Sequence, residues 1–162
     1  MIYTGIGSRT TPTAVCALMT KIAKYMAAKG YTLRSGGAAG ADSAFELGAD
    51  DRKEIYLPWE RFNFNKSPLY PPTTDALGLA AQFHPAWDCM QKPARLLMGR
   101  NSHQVMGLDL KTPTERIICW TKGAKGEGGT GQAIRIARHH KIPVDDLANP
   151  KLLKEWTDLL AP

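Results

Sequence analysis

Three short glycine-containing segments are places where the backbone itself could bind an anion. They are GIGSR (residues 5–9), SGGAAGAD (residues 35–42) and GEGGTG (residues 126–131). Each follows a predicted strand and leads into a predicted helix. Glycine lets a ligand approach the main chain closely, and a helix N-terminus offers free N–H groups and a partial positive charge. The pattern indicates phosphate binding, although tight strand-to-helix turns would also use these glycines.

These segments depart from the two best-known phosphate-binding motifs. The sequence contains no GxxxxGK[ST], and Thr10 occupies the last glycine position of a GxGxxG pattern. The sequence therefore does not indicate a conventional dinucleotide site. Asp42 could bind a ribose hydroxyl or cap its helix, and the sequence leaves both roles open.

Strands and helices are predicted to alternate along the chain. Apolar residues at helical spacing predict a helix over 12–29, with Thr11 as its cap and Gly30 closing it in a left-handed conformation. Strands are predicted in MIYTGIG, YTLRS, KEIYLPW, ERIICWT and IPVDDL, and further helices in GGAAGADSAFELGA, TTDALGLAAQFH, PARLLMGRNSHQVMG, QAIRIARHHK and PKLLKEWTDLL. Residues 60–72 and KGAKGEGGTG are predicted to be loops. The alternation predicts an α/β, doubly wound, mainly parallel sheet with helices on both faces.

Length and composition limit the class of protein. A chain of 162 residues suits one domain, and we expect residues 1–162 to form it. The net charge of +6 favours nucleic acid or a phosphorylated small molecule as partner, although a solvated basic surface would also explain it. No apolar run could span a bilayer and no signal peptide is visible, so we expect no membrane association.

Cysteine and histidine spacing gives no sign of a metal site. Cys16, Cys89 and Cys119 are widely separated, and neither CxxC nor HExxH occurs. We therefore predict no metal, no cofactor and a reduced, cytoplasmic setting.

Four segments together resemble a known family. In chain order they are GIGSRTTP, LRSGGAAGADSAFELGA, GRNSHQVMG, and GGTGQAIRIA with the later IPV. They are similar to the core of the DNA-processing protein A family, part of the SLOG superfamily that also holds the Lonely-guy phosphoribohydrolases. The resemblance extends from Met1 to about Leu147. It implies a Rossmann-like fold, and it also implies a homodimer.

The resemblance further implies which residues hold a nucleotide or nucleic-acid phosphate. They are Gly7, Ser8, Arg9, Ser35, Gly36, Gly37, Arg100, Asn101, Gly128, Gly129, Thr130 and Gly131. Residue chemistry agrees for Arg9 and Arg100, because a guanidinium binds phosphate bidentately. A surface ion pair is the commoner role of a lone arginine.

The residues bearing on catalysis differ from those of the enzymes in this superfamily. Arg135 stands where Lonely-guy enzymes carry a glutamate, and Ala133 stands where deoxynucleoside monophosphate glycosidases carry one. A glycosidase needs a carboxylate as nucleophile or to stabilise its cationic transition state. Glu127 and Glu46 are the candidates to supply this carboxylate. Alternatively, Glu127 is a solvated loop residue and Glu46 occupies an ordinary helix position. Whether the chain is an enzyme stays open.

Aromatic residues cluster in the long loop. Trp59, Phe62, Phe64 and Tyr70 could stack on nucleobases, or they could pack the loop onto the protein.

Three functions follow as hypotheses. The first is binding of a nucleotide or nucleotide-derived signal, by a sensor or sequestering protein. The second is an N-glycosidase or phosphoribohydrolase acting on nucleoside 5′-monophosphates. The third is binding of single-stranded DNA, as in the DNA-processing protein A family.

Overall fold

The fold is built on one sheet of five parallel strands in the order β3-β2-β1-β4-β5, and a computed structural model describes residues 1–162. The strands are β1 (Ile2–Gly5), β2 (Thr32–Ser35), β3 (Lys53–Ile55), β4 (Ile117–Cys119) and β5 (Val144–Asp146). The helices are α1 (Thr13–Ala28), α2 (Ala41–Ala49), α3 (Thr74–Phe83), α4 (Lys92–Met106), α5 (Gly128–His139) and α6 (Pro150–Leu159). The predicted α/β class and parallel sheet are confirmed.

The strand order reverses direction between β1 and β4. The chain lays down β1, β2 and β3 towards one edge, and then returns to place β4 on the other side of β1. When the connections that follow two neighbouring strands run to opposite sides, a crevice opens at the carboxyl ends of these two strands. The segments that follow β1 and β4 therefore border this crevice.

Two apolar cores cover the two faces of the sheet. In β4, Ile118 joins one core while Ile117 and Cys119 join the other, as expected for side chains that alternate across a strand. The first core contains buried residues of α1 and α2 together with Trp156 of α6. The second contains buried residues of α4 and α5. Helices on both faces explain why β4, in the middle of the sheet, is apolar and buried throughout.

Helix starts differ from the predictions at two places. Thr11 does not cap α1: the N-cap is Pro12, which has no side chain able to accept a hydrogen bond, and the Thr11 hydroxyl donates to the Ser8 carbonyl oxygen at 2.6 Å. Helix α5 begins at Gly128, inside the segment predicted to be a loop. Glycine's low helix propensity suggested a loop there, and tertiary packing overrides it.

The predicted end of α1 is confirmed, because Gly30 has a φ of +88° two residues after Ala28, the last residue of the helix. At the start of α6, the Asn149 side chain accepts a hydrogen bond from the Lys151 N–H. The long loop contains a short 3-10 turn at Phe62–Phe64, and Lys122–Ala124 forms another. None of the helices has both the length and the apolar character needed to cross a membrane.

Candidate functional site

A cavity of about 410 Å³ lies at the carboxyl ends of β1 and β4, where the strand order reverses. Parts of four segments line it: the turn after β1, the turn and first residues of α2, the middle of α4 and the start of α5. The lining residues are Ile6, Gly7, Ser8, Arg9, Ala38, Asp42, Leu97, Met98, Arg100, Asn101, Gln104, Glu127, Gly128, Gly129 and Thr130. Ligands of open parallel sheets bind at this position.

The turn after β1 is held in a fixed shape. The Ser8 N–H donates to the Trp120 carbonyl oxygen at 3.1 Å, and the Ser8 carbonyl oxygen accepts from the Thr11 N–H. Gly40, with φ +83°, packs against this turn so closely that a Cβ there would lie 2.9 Å from the Ser8 and Arg9 carbonyl oxygens. The Arg9 side chain is exposed and makes no ion pair. A rigid turn therefore presents a free guanidinium at the cavity.

Asp42 joins two of the glycine segments. Its carboxylate accepts the Ala38 N–H at 3.3 Å, and the backbone N–H groups of Gly7 and Gly36 also lower its pKa by hydrogen bonding. Burial outweighs these bonds and the positive charge of Arg100, and raises the pKa of Asp42 to about 6. The N-cap of α2 is Gly40, so Asp42 does not cap its helix from that position.

Arg100 is a buried cation with one free amino group. Its Nη1 donates to the Gly36 carbonyl oxygen, its Nε donates to the Leu97 carbonyl oxygen at 3.3 Å, and its Cζ lies 5.5 Å from the centre of the Phe62 ring. Nη2 has no hydrogen-bond partner in the protein and the side chain makes no ion pair. Burial lowers the pKa of Arg100, Asp42 opposes this, and repulsion from Arg9 adds to it. Because the two carbonyl oxygens and the Phe62 ring hold it, the guanidinium is oriented before any ligand arrives.

The start of α5 supplies free backbone donors. The N–H groups of Gly128, Gly129 and Thr130 donate to no acceptor within the protein. The Asn101 side-chain amide holds this turn against α4 by donating to the Gly129 carbonyl oxygen at 2.9 Å. Glu127, the N-cap residue, is exposed and makes no capping hydrogen bond. Unpaired N–H groups at a helix N-terminus attract anions.

Four of the predicted binding residues lie outside the cavity lining. Ser35 donates its hydroxyl to the Gly5 carbonyl oxygen at 2.6 Å, which joins β2 to the turn after β1. Gly36 and Gly37 use their carbonyl groups to hold Arg100 and Asn63. Gly131 packs against the Gly126 carbonyl oxygen. These residues shape the site, whereas the other predicted binding residues line it.

The two candidate catalytic carboxylates are separated by the fold. Glu127 lines the cavity, whereas Glu46 lies apart from it on α2. The Glu46 carboxylate accepts hydrogen bonds from Lys53 Nζ at 3.0 Å and from Asn65 Nδ2 at 2.8 Å. Glu46 therefore stabilises the local structure beside the edge strand.

Gln104 is a cavity residue that the sequence analysis missed. Its side chain is almost completely buried, and the structure gives its amide no hydrogen-bond partner within the protein. It lies one helical turn after Arg100, so the i, i+4 rule for neighbours on a helix face would have found it.

The raised pKa of Asp42 predicts a specific dependence of stability on pH. The folded state keeps this proton up to about pH 6, whereas the unfolded chain loses it near pH 4, so Asp42 makes the fold less stable as pH rises through this interval. Asparagine does not titrate, so the unfolding free energy of Asp42→Asn should not show this fall. Between about pH 4 and pH 6, the difference in unfolding free energy between the variant and the native protein should therefore change by about 3 kcal/mol in favour of the variant. Urea unfolding of both proteins at several pH values measures this, and a constant difference between them would contradict the prediction.

Comparisons with known proteins bear on the fold. No family model matches the chain, and no curated protein matches it in sequence. The chain is similar to a solved structure of DNA processing protein A from Helicobacter pylori. That structure was described for its mode of binding single-stranded DNA. The TM-score is 0.55 and the identity 13%, over 99% of this chain and 78% of that one. The chain therefore has a Rossmann-like α/β fold similar to that of DNA processing protein A.

Proposed function

We propose that the cavity binds a nucleotide or a nucleotide-derived molecule through its phosphate. The observation that carries this proposal is the convergence of Arg9, the free Nη2 of Arg100 and the unpaired N–H groups at the start of α5 on one cavity. Neither arginine has a carboxylate partner within ion-pair distance. A phosphate would pair with both cations and accept from the free donors, which accounts for all of these unmatched groups.

The remaining polar groups suit the rest of a nucleotide. The buried Gln104 amide supplies a donor and an acceptor, and Asp42 supplies an acceptor within the cavity lining. The cavity, at about 410 Å³, is within the size range of small-molecule sites. Buried polar groups that have no protein partner are matched by a ligand or by ordered water.

Calorimetry with mono-, di- and cyclic nucleotides and with ADP-ribose tests the proposal. We expect at least one of them to bind, and Arg9→Ala to weaken that ligand about 10- to 100-fold, because a hydrogen bond to a charged group contributes about 1.5–3 kcal/mol. Lys21→Ala removes the same charge from the exposed face of α1 and is the matched control. Absence of binding at millimolar concentration would refute the proposal.

The same titrations separate binding from turnover. Mass spectrometry of the ligand after denaturation should recover it intact if the protein only binds it. Release of free base that Glu127→Gln abolishes would instead favour an N-glycosidase, since Glu127 lines the cavity.

Single-stranded DNA is a second candidate ligand. The net charge of +6 and the similarity of the fold to DNA processing protein A favour it. Binding of a single strand should weaken with salt, with a logarithmic slope of about 0.7 for each phosphate contacted. A flat salt dependence would exclude this candidate.

A further inference from the structure

The cavity lining holds two kinds of polar group, and a phosphate matches only one of them. Arg9, Arg100 and the N–H groups at the start of α5 are donors, which suit the oxygens of a phosphate. The Gln104 side chain also carries an acceptor, Oε1, and this oxygen has no hydrogen-bond partner within the protein. A phosphate dianion carries acceptor oxygens only. A ligand that satisfies Gln104 therefore brings a hydrogen-bond donor of its own.

Gln104 lies directly beside Arg100. The two residues are one helical turn apart on α4, and Arg100 Nη1 and Gln104 Nε2 are the two atoms nearest to where a Cβ on Gly36 would lie. The missing side chain at Gly36 thus leaves room for both groups, and Gln104 is only 2% exposed. The donor that Gln104 needs therefore lies close to a phosphate held by Arg100. In a nucleotide, the sugar hydroxyls are the donors nearest to the phosphate.

A ribose offers two neighbouring hydroxyl groups, and this pair is the chemical complement of a carboxamide. Each hydroxyl can donate or accept, so Gln104 Nε2 can donate to one oxygen while Oε1 accepts from the other hydroxyl. A 2-deoxyribose lacks one of these hydroxyls and forms only one of the two bonds. The buried amide is then left partly without a partner, which disfavours binding of the deoxy sugar.

The cavity offers no aromatic ring on which a base could stack. The apolar residues of its lining are Ile6, Ala38, Leu97 and Met98. The aromatic residues of the long loop lie outside the lining, and the Phe62 ring covers one face of the Arg100 guanidinium. Proteins that recognise an unpaired base usually stack it on an aromatic ring or on the plane of an arginine. The lining therefore suits a sugar and a phosphate better than a base.

We infer that the cavity recognises the ribose phosphate unit of its ligand, with the Gln104 amide bound to the two ribose hydroxyls and the base left unread. This inference rests on the proposed phosphate binding and extends it by naming the class of ligand as phosphorylated ribose. It also separates the two candidate ligands, because DNA lacks the 2′-hydroxyl group. Gln104 thus acts as the residue that selects the sugar.

Calorimetry of the native protein with ribose 5-phosphate, 2-deoxyribose 5-phosphate and adenosine 5′-monophosphate tests this inference. We expect ribose 5-phosphate to bind with an affinity within about tenfold of that of the nucleotide, because the base adds no stacking contact. The deoxy sugar phosphate should bind about 5- to 100-fold more weakly than ribose 5-phosphate, because part of the buried amide loses its partner. Equal affinity for the two sugar phosphates would overturn the inference, and so would a nucleotide that binds more than about tenfold tighter than ribose 5-phosphate.

The Gln104→Met variant assigns the sugar preference to this residue. Methionine keeps the length of the side chain and removes both amide groups, so the two sugar phosphates should bind the variant with affinities equal within about twofold. Gln82→Met changes an exposed position of α3 outside the cavity and should keep the native preference. A preference that survives Gln104→Met would overturn the inference, since another group would then read the sugar, while phosphate binding would stand. Failure of the sugar phosphates and of every nucleotide to bind the native protein would refute the proposed function itself.

Discussion

The Gly40→Ala variant is expected to unfold with a free energy about 2–5 kcal/mol below that of the native protein. Gly40 has φ +83° and ψ −122°, a conformation that residues with a side chain rarely adopt. An added Cβ would also lie 2.9 Å from the Ser8 and Arg9 carbonyl oxygens, which belong to the backbone and cannot rotate away. Strain and overpacking each cost about 1–3 kcal/mol, and both apply here.

Urea unfolding measures this loss, and Gly78→Ala is the matched control. Gly78 lies within α3 with open space around the position of an added Cβ, so alanine there should raise the unfolding free energy by about 0.5–1 kcal/mol. Because Gly40 contacts the turn that carries Arg9, Gly40→Ala should also weaken phosphate binding. A stability change within about 0.5 kcal/mol of the native value, typical of ordinary surface positions, would show that the turn adapts freely.

The phosphate-suited loops could be predicted because they rely on local chemistry. A strand, then glycines, then a helix places free N–H groups at one edge of a parallel sheet whatever the rest of the chain does. The structure accordingly brings the segments around Gly7, Asp42 and Gly129 to one cavity. Sequence reasoning also placed Arg9 there, because it follows β1 within the same turn.

The structure was needed wherever a role depends on long-range packing. Asp42 could bind a ribose or cap its helix according to the sequence, but its hydrogen bonds to the glycine segments depend on how β1 and β2 lie side by side. Glu127 lies within one glycine loop and Glu46 follows another, yet only Glu127 lines the cavity. Gly36 and Gly37 were expected to touch the ligand, whereas their carbonyl groups fix Arg100 and the aromatic loop. The absence of a side chain at Gly36 leaves the space that the Arg100 guanidinium fills.

Arg100→Met should have the largest effect on binding of any single change in the cavity lining, lowering affinity for a phosphorylated ligand about 100-fold. Methionine keeps much of the arginine's length and its contact with Phe62, but it removes the charge and the free Nη2 donor. Arg100 is 7% exposed whereas Arg9 is exposed, so the attraction of Arg100 for phosphate is less screened than that of Arg9. Two carbonyl groups and the Phe62 ring already orient it, so binding requires little further ordering.

Calorimetry with the tightest-binding nucleotide measures this loss, with Arg116→Met as the control for charge. Arg116 pairs with Asp145 outside the cavity, so its replacement should change affinity by less than about threefold.

Removing Arg100 also removes the positive charge that lowers the pKa of Asp42, so this pKa should rise above its native value of about 6. The fall in stability attributed to Asp42 should then extend to higher pH in the variant. Native-like affinity would show that Arg100 supports the Gly36 turn without binding the ligand, and an unchanged pH profile would show that its charge does not act on Asp42.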